Sequence, residues 1–239
     1  MPKISRRDML LGLTSLVVIK TFGESSDPQA AGVSKGVVSS LLPGVAVPAT
    51  TDKDHVLWIV VIAMLRTTAY AEGTWGKRKD AYRTQYSFRQ VPESYAYKRH
   101  PWETDRVIPC DETGRLCSAA SGTYQFMPDT WEGVRHKKHK DRFWYPEDEF
   151  SPRNQDLGAI YLMSDIYLWP ILLKGLMVKN GKPVVLRDSF ARALNQAAPT
   201  WASFPRYEHD DTGAHGQGAK RVTVLWAFFQ KQIEALSSP

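Results

Sequence analysis

The densest apolar run in the chain is HVLWIVVIAMLRTTAYAEG, His55 to Gly73. Val56, Leu57, Ile59, Val60, Ile62, Ala63, Met64 and Leu65 leave it almost no polar face. A helix apolar nearly all round belongs in the centre of a domain. Thr51 and Asp54 have the spacing of a capping box, with Asp in place of the usual Glu or Gln. Gly73 supplies the C-terminal stop, so the run predicts a helix from about Thr51 to Ala71.

Past this helix the pattern changes. Residues 74–117 mix polar side chains with Tyr82, Tyr86, Phe88, Tyr95 and Tyr97, which reads as short strands and loops. SAASGTYQF (Ser118–Phe126) passes from small residues to an extended aromatic stretch. MPDTWEGVRHKKH starts a helix with Pro128 in its first turn. FSPRNQDLGAIYLMSDIYLW starts another, with Ser151 as N-cap and Pro152 behind it, and Leu157, Ile160, Tyr161 and Ile166 keep helical spacing. LKGLMVKNGKPV reads as a loop turning at Asn180–Gly181, LRDSFARALNQ as a short helix, TWASFP as a break at Pro205, RYEHDDTGAHGQG as a polar loop, and Val222–Leu236 as the last helix. No internal repeat is seen. The pattern is that of a helical α+β protein with a small β insertion after its first helix.

The N-terminus is of another kind. In SRRDMLLGLTSLVVIK, Arg6 and Arg7 precede a short, modestly apolar run from Met9 to Ile19. Paired arginines before such a run read as a twin-arginine export signal, a free tail being the other reading. Residues 23–50 are rich in Ser, Gly, Ala and Pro and read as a linker, with QAAG (Gln29–Gly32) as the place to look for cleavage. The expected division is therefore a signal and linker at 1–50 and one domain at 51–239. No run of eighteen or more apolar residues occurs, so no spanning helix, and no stable membrane insertion after signal removal, is expected.

Charge and cysteines narrow the partners. The net charge of +6 over 239 residues favours an anionic partner. RHKKHKDR (Arg135–Arg142), which holds His136 and His139, carries no nucleic-acid motif and reads as a solvated face. Cys110 and Cys117 flank DETGRL; an even pair in an exported chain reads as a disulfide, worth roughly 2–3 kcal/mol for so short a loop. Metal binding would need more ligands and redox work a closer pair.

Glu72 is the anomaly. A carboxylate at a helix C-terminus opposes the backbone dipole by a few tenths to about 1 kcal/mol. It is either a solvated residue or one whose position is useful.

Four blocks occur in a fixed order: AMLRTTAYAEGT, SAASGTYQFMPDTWEGV, FSPRNQDLGAIYL and TWASFP…HGQG. Together, over roughly His55 to Leu236, they resemble the phage lambda-type endolysins, a lysozyme-like family of peptidoglycan-cleaving enzymes. The resemblance implies a mostly helical lysozyme-like fold with a small β lobe and a cleft between lobes. It implies that Glu72 is the general acid, that Ser121, Gly122, Tyr124 and Gln125 line the cleft, and that Trp201, Ala202, Ser203, Gly216 and Gln217 form its late segment. Tyr124 and Trp201 could stack on pyranose rings, and Gln125 and Gln217 could bond acetamido groups; core packing and structural amides are the competing readings. Burial and the helix end would both raise the Glu72 pKa, as a general acid needs.

The same resemblance implies a lytic transglycosylase. The bond between N-acetylmuramic acid and N-acetylglucosamine is cut without water, the sugar's C6 hydroxyl attacks, and a 1,6-anhydro product results. Asp80, Glu93, Glu103 and Asp105 are the acids available to a water-using muramidase, which needs a second carboxylate. The chain departs from the family in lacking the Gly-rich turn of the β insertion, in adding the cysteine pair, and in having His215 where the phage protein has a tyrosine. His209, Asp210, Asp211 and His215 share one loop, so a metal-dependent wall peptidase is a rival, though no His-Glu-x-x-His motif is present. A non-catalytic wall-binding module is another. The expectation is an exported, monomeric enzyme acting on peptidoglycan glycan strands, with no cofactor, no metal and no nucleic acid.

Overall fold

The computed structural model describes residues 52–76, 80–92, 97–104, 108–138, 149–213 and 218–238. Thr51, the twin arginines, the QAAG segment, Glu93, Tyr95, Asp105, His139, His215, Gly216 and Gln217 lie outside them.

Helix α1, Asp52–Ala71, is the axis of the domain. Val60, Ala63, Met64 and Leu65 are at most 1% exposed, as an all-round apolar helix requires. Its interior polar groups are satisfied locally: the Thr67 hydroxyl donates to the Ala63 carbonyl at 2.7 Å and the Thr68 hydroxyl to Met64 at 3.0 Å. By length and composition α1 could cross a membrane, against the expectation from its sequence, but 78% of its Asp54–Ala71 window is buried inside the fold.

The segment read as a β insertion forms turns instead. Two 3₁₀ turns, Ala81–Arg83 and Tyr86–Phe88, and a single helical turn α2, Pro101–Thr104, are joined by isolated bridges such as Gln85 to Ser121. Of the aromatic residues here Tyr82 is buried and Phe88 is exposed; without a period-2 pattern, the described residues of the segment make isolated bridges and no ladder. Helix α3, Pro128–Glu132, runs on as a π-helical turn, Gly133–Lys138. Arg135, on the supposed solvated face, is mostly buried between Glu103, Glu132 and Glu149.

The helix beginning at Ser151 is capped as expected, the Ser151 hydroxyl accepting from the Asn154 amide. It ends sooner than expected: α4 is Pro152–Asp165, Tyr167 takes a left-handed backbone (φ +64°), and α5 is Leu168–Leu173. The predicted loop after it is a hairpin, β1 Leu176–Lys179 against β2 Lys182–Val185, antiparallel around Asn180–Gly181. Helices α6, Arg187–Ala197, and α7, Val222–Leu236, close the domain, α7 lying along α1. The stacked rings of Tyr70 and Phe228, 4.2 Å apart, and a bond from Arg66 to Gln232 (3.1 Å) join these two helices. A second aromatic centre, Phe126, Trp131 and Phe150, packs against α4, where a Cβ on Gly158 would come within 2.9 Å of Trp131.

Candidate active site

Glu72 is the C-cap residue of α1. Gly73, at φ +76°, lets the chain reverse, and two bonds close the end: Gly73 N–H to the Tyr70 carbonyl (3.1 Å) and Thr74 N–H to the Ala69 carbonyl (3.0 Å). This Schellman pattern closes the helix end through the backbone, without use of the Glu72 side chain. The Thr74 hydroxyl then donates to the Thr123 carbonyl at 2.7 Å, tying the helix end to the SAASGTYQF segment.

Two groups from distant sequence meet at Glu72. The Ser203 hydroxyl donates to Glu72 Oε1 at 2.5 Å. Lys220 Nζ donates to the Ala71 carbonyl at 2.7 Å, beside Glu72, a favourable place for a cation at a helix C-terminus. Glu72 is only partly exposed. Burial pushes its pKa up to about 7, against the opposing pull of the Ser203 bond and the Lys220 charge. A carboxyl in this setting holds its proton near neutral pH and can still give it up, which is what a general acid must do.

Among the described residues the groups acting on the Glu72 carboxyl are a hydroxyl and an ammonium, not a second carboxylate. Asp80 is engaged elsewhere: it caps the first 3₁₀ turn through the Tyr82 amide (3.0 Å), pairs with Arg83 (3.1 Å) and accepts from the Tyr97 hydroxyl. Glu103 faces Arg135 at 3.6 Å.

The expected sugar-facing residues turn out to be the frame beneath the acid. Ser121 and Tyr124 are fully buried and Gly122 is buried. Tyr124 offers no ring to a sugar; its hydroxyl donates to Asp156 at 2.5 Å. Trp201 is 3% exposed, and its indole N–H donates to the Tyr124 carbonyl at 3.0 Å. Gln125 folds back onto its own turn, Nε2 donating to the Thr84 carbonyl (3.0 Å) and the Gly122 carbonyl (2.8 Å). The physical reason is common to all: small residues bring this segment so close to α4 that its larger side chains point into the core. The partners are Gln155 and Asp156, which the RNQD start of α4 hides in plain view. Gln155 accepts from the Thr123 amide (3.0 Å) and donates to the carbonyls of Tyr82 (3.0 Å) and Phe150 (2.8 Å). Asp156, 1% exposed, accepts from both Tyr82 and Tyr124, and burial raises its pKa well above the usual carboxylate range.

In the loop considered for a metal, His209 is exposed and Asp210 is already occupied. Asp210 accepts from the Arg206 amide (2.9 Å) and guanidinium (3.0 Å) and from the Thr212 hydroxyl (2.8 Å). These bonds, led by that from the Arg206 amide, hold its pKa well below the usual range. Among the described residues no three His, Cys, Asp or Glu side chains cluster as metal ligands. Cys110 and Cys117 form the expected disulfide, around a turn organised by Asp111, which accepts from the Thr113 hydroxyl (2.8 Å) and the Thr113 and Arg115 amides (both 3.1 Å).

A family model described as Endolysin matches residues 62–235. No curated protein matches. Among solved structures, the fold is similar to that of a bacteriophage lambda lysozyme complexed with a chitohexasaccharide, with TM-score 0.54 and 21% identity over 73% of this chain and 94% of that one. A second lambda lysozyme structure aligns at TM-score 0.50 and 17% identity, over 75% of this chain and 95% of that one. The chain has the lambda-lysozyme-like fold.

Proposed function

The chain belongs to the Endolysin family of lysozyme-like, peptidoglycan-degrading enzymes, and from that premise we propose that it is a lytic transglycosylase with Glu72 as both acid and base. The observation that carries this reading is the company Glu72 keeps among the described residues: one carboxyl poised near neutrality, with Ser203 and Lys220 acting on it rather than a partner acid. A retaining hydrolase needs its second carboxylate roughly 5 Å away and an inverting one roughly 6.5–9.5 Å away.

The reaction balances without water. Ser203 occupies Oε1, leaving Oε2 to carry the proton. Glu72 donates it to the bridging oxygen, the bond from muramic C1 to that oxygen breaks, and N-acetylglucosamine leaves with a free 4-hydroxyl. The muramic C6 hydroxyl attacks C1 and returns its proton to the Glu72 carboxylate, which is thereby reset. An attack from within the same sugar draws its rate from proximity, so no water-activating base is required. Lys220 supports the carboxylate form between the two steps, and Ser203 holds its orientation.

The substrate is the glycan strand of peptidoglycan, and the enzyme works as a monomer without a cofactor. Arg6–Arg7 and the Cys110–Cys117 disulfide support export by the twin-arginine route, since a folded, oxidised product fits an extracytoplasmic setting. Replacing both arginines by Lys should leave the precursor in the cytoplasm.

The deciding experiment is mass spectrometry of wall digested by the purified enzyme. The expected ends are 1,6-anhydro-N-acetylmuramic acid, one water lighter than a reducing end and inert to borohydride. Reducible ends as the main product would make the enzyme a muramidase. Glu72→Gln should lose about 10²–10⁴-fold in turnover, the usual worth of general acid–base catalysis; a folded variant with full activity would remove Glu72 from the mechanism.

A further inference from the structure

Away from Glu72, where α4 breaks into α5 and α6 passes beneath, lies a cavity of about 590 Å³. Its lining includes Tyr167, Ile171, Lys174, Arg192, Asn195 and Gln196. We propose that this cavity is an anchoring site for a muramic unit bearing its acidic stem peptide, separate from the site of cleavage; this rests on the peptidoglycan reading above.

Three observations support it. First, Tyr167 is exposed, at 44%, and stands in a left-handed backbone that a non-glycine residue enters only at a cost. That conformation divides α4 from α5 and leaves an aromatic ring at the cavity mouth, where a pyranose face can stack. Second, Lys174 and Arg192 reach the cavity from different helices, are exposed, and pair with no carboxylate among the described residues. Among the described residues, Lys174 and Arg192 are the only cations in the cavity lining. Two unmatched cations over an apolar side such as Ile171 suit an occupant with both carboxylates and a sugar body. An uncharged chitin-like chain would leave them unused. Third, the floor is tied to the active-site loop. The Asn195 amide nitrogen donates to the Pro205 and Arg206 carbonyls, both at 3.1 Å, and Ser203 on the same loop holds Glu72. The Gln196 amide is left exposed for an acetamido or peptide group.

The probe is a soluble disaccharide tripeptide, N-acetylglucosaminyl-N-acetylmuramoyl-Ala-Glu-diaminopimelate, titrated calorimetrically into the full Glu72→Gln chain at low salt. The control ligand is the same disaccharide without peptide. The peptide-bearing ligand should bind about 10-fold more tightly, and that ratio should fall to about one in Lys174→Ala/Arg192→Ala and recover in Lys174→Arg/Arg192→Lys. Tyr167→Ala should weaken both ligands, since stacking does not sense the peptide. Because these side chains are exposed, matching melting temperatures check that the fold is intact. A ratio near one in the parent, or a ratio unmoved by removing both cations, overturns the proposal. Failure of the cleavage reading shows separately, as intact glycan in the wall digest, whatever the titration gives.

Discussion

Replacing Ser203 by alanine should move the pH dependence of cleavage upward, and the structure gives the size. The Ser203 hydroxyl donates to Glu72 Oε1 at 2.5 Å, a bond that favours the ionised carboxylate. Hydrogen bonds to charged groups are worth about 1.5–3 kcal/mol net. At 1.36 kcal/mol per unit, removing this one should raise the Glu72 pKa by roughly 1–2 units. Solvent can enter the space left by the hydroxyl, so about one unit is the expected value. The acid must be protonated when the reaction begins, so kcat/KM falls as pH rises through the Glu72 pKa. The falling limb should therefore lie near pH 7 in the parent and roughly one unit higher in Ser203→Ala. Lys220→Met should move it the same way, because the ammonium also favours the carboxylate, while Lys220→Arg should leave it near its parent position. The assay is release of soluble muropeptides from purified wall between about pH 5 and 9 at constant ionic strength, since the wall is itself charged. A limb that stays in place in Ser203→Ala, or moves to lower pH, would refute this account of the acid.

Other consequences can be checked on the same material. The Glu72 pKa lies above its unfolded value of 4.5, so the folded state binds the proton more tightly: no penalty exists below pH 4.5, and stability is lost as pH rises through about 7. Glu72→Gln keeps the acceptor for Ser203 but cannot ionise, so denaturant unfolding should find it more stable than the parent at pH 8, by up to about 3 kcal/mol, and equal at pH 4. Gly122→Ala would place a Cβ 2.1 Å from Gln155 Oε1 at a φ of +79°; strain of about 1–2 kcal/mol plus the disturbed Gln155 bonds should cost about 3 kcal/mol or more by chemical denaturation. Cys110→Ser/Cys117→Ser should lower stability by about 2 kcal/mol on the loop-entropy model, and less if Asp111 keeps the turn formed. Unfolding with and without reductant measures it.

What could be read from the chain in advance was what is encoded locally. The Ser151–Pro152 start was legible from its capping chemistry and Val222–Leu236 from its apolar pattern, both of which lie within a few residues. The break at Tyr167 was not, because tertiary packing, not a glycine or asparagine, holds that backbone left-handed. Asn180–Gly181 announced a turn, but strands of four residues, one containing Pro183, gave too little alternation to announce the hairpin. At the candidate site, the place of Glu72 at the end of α1 was legible. Lys220 was not, lying 148 positions further on with no motif around it, and only folding brings it to the Ala71 carbonyl at 2.7 Å. Tyr124 and Trp201 were assigned to the right neighbourhood and the wrong side of it. An aromatic residue in such a segment fits a sugar platform and a core plug equally well by type; burial decides, and it decided for the core.

That outcome clarifies how the proposed acid, Glu72, is held in register. Catalytic side chains need positioning to within about 0.5 Å, which demands support by groups that are themselves fixed. Here the Trp201 indole is fixed to the Tyr124 carbonyl, and the Tyr124 phenol to Asp156 on α4. Thr74, two residues past the acid, is fixed to the Thr123 carbonyl one residue before Tyr124. The SAASGTYQF segment thus holds both sides of the site at once: α1's end through Thr123, and the loop bearing Ser203 through Tyr124. Ser203 follows Trp201 by two residues, so its distance to Glu72 is set by bonds that never touch the carboxyl. A change at Asp156 should therefore act on the reaction through geometry, altering the reach of Ser203 rather than the charge at Glu72. Tyr82 and Tyr124 both donate to Asp156, so Asp156→Asn retains one acceptor and should preserve much of the frame, whereas Asp156→Leu leaves two buried hydroxyls unpaired at about 1–3 kcal/mol each.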